Sequence, residues 1–346
     1  MDRVSRLQAL LEKGEAFFIS SYANIFYYSG FTSEDAQLLI TRDARVLITD
    51  SRYTIQAKQQ AAGFMVVDSR DGLKQIFSRF GIQVLRFEEN YLRVAEWNRL
   101  GLLVNAMVPD QQRISAGRAY KDAAEIEKIA EAERLGDAAF AHILNVLAVG
   151  KTEREIALEL EFFLKNNGAQ GLSFETIVAS GVRSAMPHGV ASEKRLETGD
   201  FVTMDFGCVL DGYCSDMTRT VVLGRASGRQ REIYGIVLRA QEAALDAIQC
   251  GKPCCEIDKA ARDVIAEAGY GANFGHSLGH SVGIEIHEQP GFTPGSKSSV
   301  ENGNVITVEP GIYIEGFGGV RIEDVVALCD GKPRNLTASP KQLIEI

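Results

Sequence analysis

The apolar positions of the first hundred residues change period repeatedly, and each change marks an element. Residues 2–13 are apolar at helical spacing, whereas AFFIS (16–20) is a short apolar run of strand type. QLLITRDARVLITD reads as two strands with a turn at Arg42-Asp43. A helix over SRYTIQAKQQAA, a strand FMVV, a helix LKQIFSRF, a strand QVLRFE and a helix NYLRVAEWNRLGLLV follow. This alternation predicts a small α/β domain with a mixed sheet over residues 1–117. In ISAGRAYKDAAEIEKI glycine and charge give way to a helical period, which marks a boundary, and a second domain is expected over 122–346. Its pattern predicts helices over 122–148, 152–167, 228–249 and 254–268 and a strand in FETIVASG.

Within that second domain, Phe201 to Thr220 places Asp205 and Asp216 inside an otherwise apolar run, where charge is costly. Asp211-Gly212 separates two strand-like stretches and reads as the turn of a hairpin. If Leu210 pairs with Tyr213, Asp205 pairs with Thr218, and Asp205 and Asp216 share a face as diagonal neighbours roughly 7–8 Å apart. Two carboxylates so held repel unless one is protonated or a cation lies between them. The pattern then recurs. Leu196 to Gly207 aligns without gaps on Val300 to Gly311, so Glu309 answers Asp205, and Glu323 answers Asp216 on a second strand. A loop centred near Gly316 would set Glu309 opposite Glu323. Gly150 to Ile156 likewise matches Gly251 to Ile257, each opening a helical stretch that ends in glycine. An internal duplication therefore brings four carboxylates to one shared face.

Composition narrows the partners. Net charge of -9 argues against nucleic acid or an anionic membrane, and no apolar run approaches the length of a membrane span. The charged N-terminal helix pattern is not a secretory signal, and six cysteines without CxxC or zinc-finger spacing are expected to be reduced thiols in a cytoplasmic protein. Asp50, Arg52 and Tyr53 read as a helix start with solvated neighbours, and His142 as an ordinary helix histidine.

Three of the five histidines, His276, His280 and His287, lie in GHSLGHSVGIEIHE, and His188 sits between proline and glycine. Gly275, Gly279 and Gly283 argue against a regular helix carrying His276 and His280. On an unbroken strand His280 and His287 would face opposite sides, so either the chain bends near Gly283 or they reach the site from different directions. Asp205, Asp216, Glu309 and Glu323 with one histidine form a hard, oxygen-rich donor set, better suited to two divalent ions such as manganese, cobalt or zinc than to one zinc. Two ions about 3.5–4 Å apart activate water and stabilise an oxyanion, so the residues point to metal-assisted hydrolysis. Arg321, on the same strand face as Glu323, would offset carboxylate charge and orient a ligand.

MDFG, SDMTRT, PHG, HSLGHSVGIEIHE, VEPGIY and RIEDVV, in that order, resemble the pita-bread metallopeptidases, in particular the Xaa-Pro aminopeptidase and Xaa-Pro dipeptidase (prolidase) branch. The resemblance implies an α/β chain: a creatinase-type N-terminal domain followed by a pseudo-twofold pita-bread α+β catalytic domain. It implies metal ligation by Asp205, Asp216, His280, Glu309 and Glu323, with Asp216 and Glu323 bridging. It further implies Glu309 as general base, His188 and His287 in contact with substrate and tetrahedral intermediate, and His276 and Tyr313 lining the pocket. Two divalent ions, foremost manganese, short proline-containing peptides as substrate and a homodimer are the expected cofactor and partners. Related readings are an aminopeptidase of the same fold acting on Met-Xaa or a broader range, a metal-free creatinase-like hydrolase, and a non-catalytic binding module. The retained ligands weigh against the last two.

Overall fold

A computed structural model of the chain describes residues 2–346. It divides into two compact units, Met1–Arg118 and Ala119–Ile346. The first is built on a six-stranded mixed sheet, in the order Met65–Asp68, Arg45–Thr49, Ala36–Thr41, Glu15–Ile19, Val84–Phe87, Ala106–Pro109. The three inner pairings around Ala36–Thr41 and Glu15–Ile19 mix antiparallel and parallel ladders, as the alternating pattern requires. Helix Leu73–Phe80 falls where its period places it, whereas the N-terminal helix is confined to Arg3–Gln8. Sequence periodicity passed over helix Tyr22–Ser29, whose aromatic residues suit a strand equally well. Its punctuation was nevertheless present: the Ser21 side chain accepts from the Asn24 N–H, and Gly30 closes the helix at φ 75°. The edge strand Ala106–Pro109 was also missed, being short, poorly buried and ended by proline.

The second unit repeats one plan twice. Helices Ala123–Ile143 and Glu153–Asn166 pack on the sheet Ile177–Ser180, Phe201–Phe206, Met217–Val222 around Phe140, Leu160, Met204 and Phe206. Helices Gly228–Ala247 and Cys254–Glu267 do the same around Val237, Ile257, Ile306 and Ile322, against a sheet centred on Val305–Val308 and Asp324–Cys329. The repetition extends to backbone hydrogen bonds. Gly150 N–H donates to Leu196 O at 2.9 Å and Gly251 N–H to Val300 O at 2.8 Å, and the N–H groups of Leu196 and Val300 donate in turn to Lys151 O at 2.8 Å and Lys252 O at 2.9 Å. The turn before each central strand is locked by a polar side chain, Asp200 accepting from Glu197 N–H and Asn304 from Glu301 N–H. Helices Glu153–Asn166 and Cys254–Glu267 are each followed by a glycine of positive φ, Gly168 and Gly269. These paired features are what two copies of one supersecondary unit would retain.

The halves meet where the acids lie. Glu323 N–H donates to Thr218 O at 3.1 Å, and Thr220 Oγ1 donates to Arg321 O at 3.0 Å while accepting from the Arg321 N–H at 3.2 Å. Each half-sheet thereby satisfies backbone groups of the other.

Candidate metal centre

Asp205 and Asp216 stand on the first hairpin in the register their sequence dictates. Leu210 pairs with Tyr213 and Asp205 with Thr218, and the turn has Asp211 at φ 48° and Gly212 at φ 77°, the left-handed pair of a type I′ turn. The hairpin is pinched between them. A Cβ on Gly207 would lie 2.0 Å from Ser215 O, so only glycine permits the approach that turns both carboxylates the same way. In the second half the ladder Val308↔Asp324 continues as Gly311↔Arg321 and Ile314↔Gly318, centred on Gly316. Glu309 and Glu323 occupy the gap between these two ladders, in opposed positions.

The glycine-rich histidine segment is a bent hairpin. Strand Gly279–Ser281 pairs with Glu288–Phe292 with a register shift between His280 and Ser281, and the intervening turn brings the rings of His280 and His287 to 4.3 Å between centroids. A helix carrying His276 and His280 is absent, because the chain there is a strand flanked by glycine. His280 Nε2 lies 3.5 Å from Asp216 Oδ2 and 3.4 Å from Glu309 Oε1. One ligand atom each from Asp216, His280 and Glu323 falls within 4.8 Å of the other two.

These groups line a cavity of about 760 Å³, together with Asp205, Glu309, His188, His276, His287 and Arg321. Tyr313 stands off its wall and bonds two residues that form it, accepting from Arg321 at 2.9 Å and lying 3.0 Å from His276 Nε2. Arg321 is buried and donates to Asp205 Oδ2 at 2.6 Å, Thr218 Oγ1 at 2.9 Å, Pro187 O at 3.2 Å and the Tyr313 hydroxyl. Thr218 in turn donates to Glu323 Oε2 at 2.6 Å. Arg321 thus links the His188 loop, a carboxylate of the first half and, through Thr218, one of the second.

Electrostatically the acids are crowded. Burial, then the charges of Glu323 and Asp205, push the Asp216 carboxyl well above its ordinary range. Burial, then Glu309 and Asp205, do the same to Glu323. Burial pushes Glu309 up to about 7 against the lowering field of Arg321. His280 is driven down to about 4 by burial and by the adjacent His287, so its imidazole is neutral and a lone pair is available. Asp205 Oδ1 is buried without a hydrogen-bond partner. An orphaned carboxylate oxygen, mutually repelling acids and a neutral imidazole are together the chemistry a divalent cation satisfies, so the residues fit one or more such ions.

Some supporting residues escaped the sequence reading. Thr307 donates to Glu309 Oε1 at 3.0 Å and accepts from the His280 N–H at 3.0 Å; it lies two positions before Glu309 on one strand and so shares its face. Glu133, fully buried on helix Ala123–Ile143, accepts the Asp216 N–H at 2.8 Å and the Thr337 hydroxyl at 3.0 Å. Its signal was an acid on the apolar stripe of Ile126, Ile129, Gly136 and Phe140. The remaining expectations are unremarkable in space. Asp50 and Arg52 form an exposed ion pair, His142 pairs with Glu159 on the helix surface at 2.7 Å, and all six cysteines are free. Among the described residues no helix is long and apolar enough to cross a membrane.

Comparison with known proteins accounts for both units. Residues 127–329 match the model of Metallopeptidase family M24, and residues 3–120 match the Creatinase/Prolidase N-terminal domain. An Xaa-Pro dipeptidase of Pyrococcus furiosus is 36% identical, with 99% of each chain covered. Among solved structures, an Xaa-Pro dipeptidase from Bacillus anthracis superposes with a TM-score of 0.96 at 42% identity over 99% of each chain. An X-Pro aminopeptidase from Thermotoga maritima gives 0.93 at 39% identity over the whole of both chains. The chain is a member of metallopeptidase family M24, a pita-bread peptidase domain preceded by a creatinase/prolidase N-terminal domain.

Proposed function

We propose that this peptidase is a dinuclear-metal exopeptidase that hydrolyses the bond between an N-terminal residue and proline, with residues 1–117 as the creatinase-type domain and 122–346 as the catalytic domain. The observation that carries the reading is the convergence of Asp216, His280 and Glu323, with Asp205 and Glu309, on one cavity. The names of relatives alike over nearly the whole chain support the Xaa-Pro preference.

Asp205, Asp216, His280, Glu309 and Glu323 would hold two divalent ions, most simply manganese. When bound, the ions supply water activation and stabilisation of the oxyanion that forms at the scissile carbonyl. Glu309, which lines the cavity beside the other acids, is suited to take the proton of the attacking water and pass it to the leaving proline nitrogen. His287 and His188 face the cavity as donors to the developing oxyanion and to the substrate carbonyl. His276 is neutral, driven down to about 4 by burial, and is held to Tyr313. Arg321 fixes Asp205 and the His188 loop, so its part is orientation of the site wall against which the peptide lies. The proposal includes a homodimer as the working form.

The test is hydrolysis by metal-stripped protein reloaded with manganese, cobalt or zinc, offered Xaa-Pro dipeptides, Xaa-Pro-containing tripeptides and Met-Xaa peptides. Metal-dependent cleavage of the Xaa-Pro substrates supports the reading, with the dipeptide-to-tripeptide ratio separating dipeptidase from aminopeptidase. Preferential cleavage of Met-Xaa, or cleavage independent of metal, would overturn it.

A further inference from the structure

Apart from the acid cluster, one buried ion pair of the second unit stands directly beside the cavity. Lys121 Nζ lies 2.9 Å from Glu288 Oε2, and the two side chains are 2% and 3% exposed. Glu288 follows His287 in the chain and lines the same cavity. Its second oxygen accepts the Glu285 N–H at 3.2 Å, so the carboxylate folds back into the turn that presents His287. Gly283 leaves it the space, since a Cβ there would fall 2.6 Å from Glu288 Oε2. The backbone of Lys121 is fixed from the opposite direction. Its N–H donates to Gly303 O at 2.8 Å, and Asn304 Nδ2 donates to Ala119 O at 2.9 Å. Gly303 and Asn304 belong to the turn that starts strand Val305–Val308 and leads to Glu309.

From this placement we infer that Lys121 and Glu288 are positioning residues for His287. The pair ties the His287 turn to the strand carrying Glu309 and thereby sets the reach of the imidazole beside His280. A buried pair that served burial alone would be replaceable by apolar groups of like volume. Here one partner closes the turn of a cavity-facing histidine, and the other is clamped to the base of the Glu309 strand. Supports of this kind commonly change activity about 10–100-fold when removed.

The inference rests on the proposed peptidase activity, and a double-mutant cycle separates it from a merely structural role. Lys121→Met in the otherwise native holoenzyme is expected to lower kcat about 10–100-fold, with KM and bound metal little changed. In a His287→Ala background the same substitution is expected to lower kcat by less than about twofold, because the group it positions is gone. Equal losses in both backgrounds would overturn the inference. Should Lys121→Met fail to fold, Glu288→Gln replaces it in the cycle, since the amide keeps the shape and a hydrogen-bond acceptor for Lys121. If the native protein cleaves no Xaa-Pro peptide, the functional reading fails by itself. The pair is then read from ring resonances in histidine-labelled protein: those of His287 shift in the variant while those of His142 stay. Unmoved His287 resonances would overturn the inference independently of activity.

Discussion

The two halves of the second unit share a backbone and differ in the chemistry they place on it. Each offers two acids on paired strands, Asp205 and Asp216 in one, Glu309 and Glu323 in the other. Only the second half supplies the strand imidazole His280 and the guanidinium of Arg321, and that guanidinium neutralises an acid of the first half. Behind the acids the first half aims an acid, Glu133, at the Asp216 N–H, whereas helix Gly228–Ala247 aims an amide, Gln241, at Asp324 Oδ2 at 2.9 Å. Duplication accounts for the convergence of four carboxylates; departure from symmetry accounts for the imidazole and the compensating cation.

The most severe way to break the comparison is to remove one cavity acid from either half. Asp216→Ala and Glu323→Ala should each reduce metal-dependent hydrolysis by about 10³-fold or more, as expected if several kcal/mol of metal stabilisation is lost. The two losses should be alike, and steady-state kinetics with bound-metal analysis checks them. A loss confined to one half would mean that the acids do not act as one site.

Arg321→Met removes the cation that crosses between the halves and leaves Asp205 buried without compensation. Breaking such a pair costs about 3–5 kcal/mol, so denaturant unfolding of the metal-free protein should show a loss of that order. Adding Asp205→Asn should restore a large part of it, since the uncompensated charge is then gone.

The glycines that follow the first acid of each half separate close approach of backbone from close approach of side chain. Gly207→Ala drives a methyl into Ser215 O, and Gly311→Ala drives one to 2.5 Å from the Tyr313 hydroxyl. The first should destabilise by about 1–3 kcal/mol or more, because the hairpin itself must open. The second should cost less stability, because a ring can turn aside, and should lower activity by releasing Tyr313 from Arg321 and His276. Melting and kinetics on both variants distinguish the outcomes.

The gentlest test is pH. Burial pushes Glu133 up to about 8 from its ordinary value near 4.5. A folded-state value raised in this way means stability that is complete below the unfolded value and is lost as pH rises through about 8. Metal-free protein should therefore weaken between those limits, and Glu133→Gln should flatten that part of the profile. His276 works in the opposite sense: driven down to about 4, it favours the fold above the ordinary histidine value and loses that contribution as pH falls through about 4. Chemical denaturation across pH, with and without Glu133→Gln, reads the difference.

What was legible in the chain followed from local rules. Asp211-Gly212 sets a hairpin register, and register carries Asp205 and Asp216 to one face. Gly316 does the same for the second pair, and the opposed strand faces of His280 and His287 left a bend near Gly283 or an approach from two directions, of which the structure has the bend. The illegible parts depend on long-range contact. Lys121 and Glu288 meet across 167 residues, and Arg219 lies between Asp324 at 2.8 Å and the Glu323 carbonyl without any periodic signal. Helix Tyr22–Ser29 was hidden for another reason, because tertiary packing decides a segment whose propensities are balanced.

On the proposed function, both halves hold metal together. Calorimetric titration of manganese into metal-stripped protein tests it most directly, with Asp216→Ala and Glu323→Ala as companions. Two equivalents per chain are expected for the native protein, and loss of both high-affinity events in either variant. Full binding that survives Asp216→Ala or Glu323→Ala, or no binding by the native chain, would contradict it.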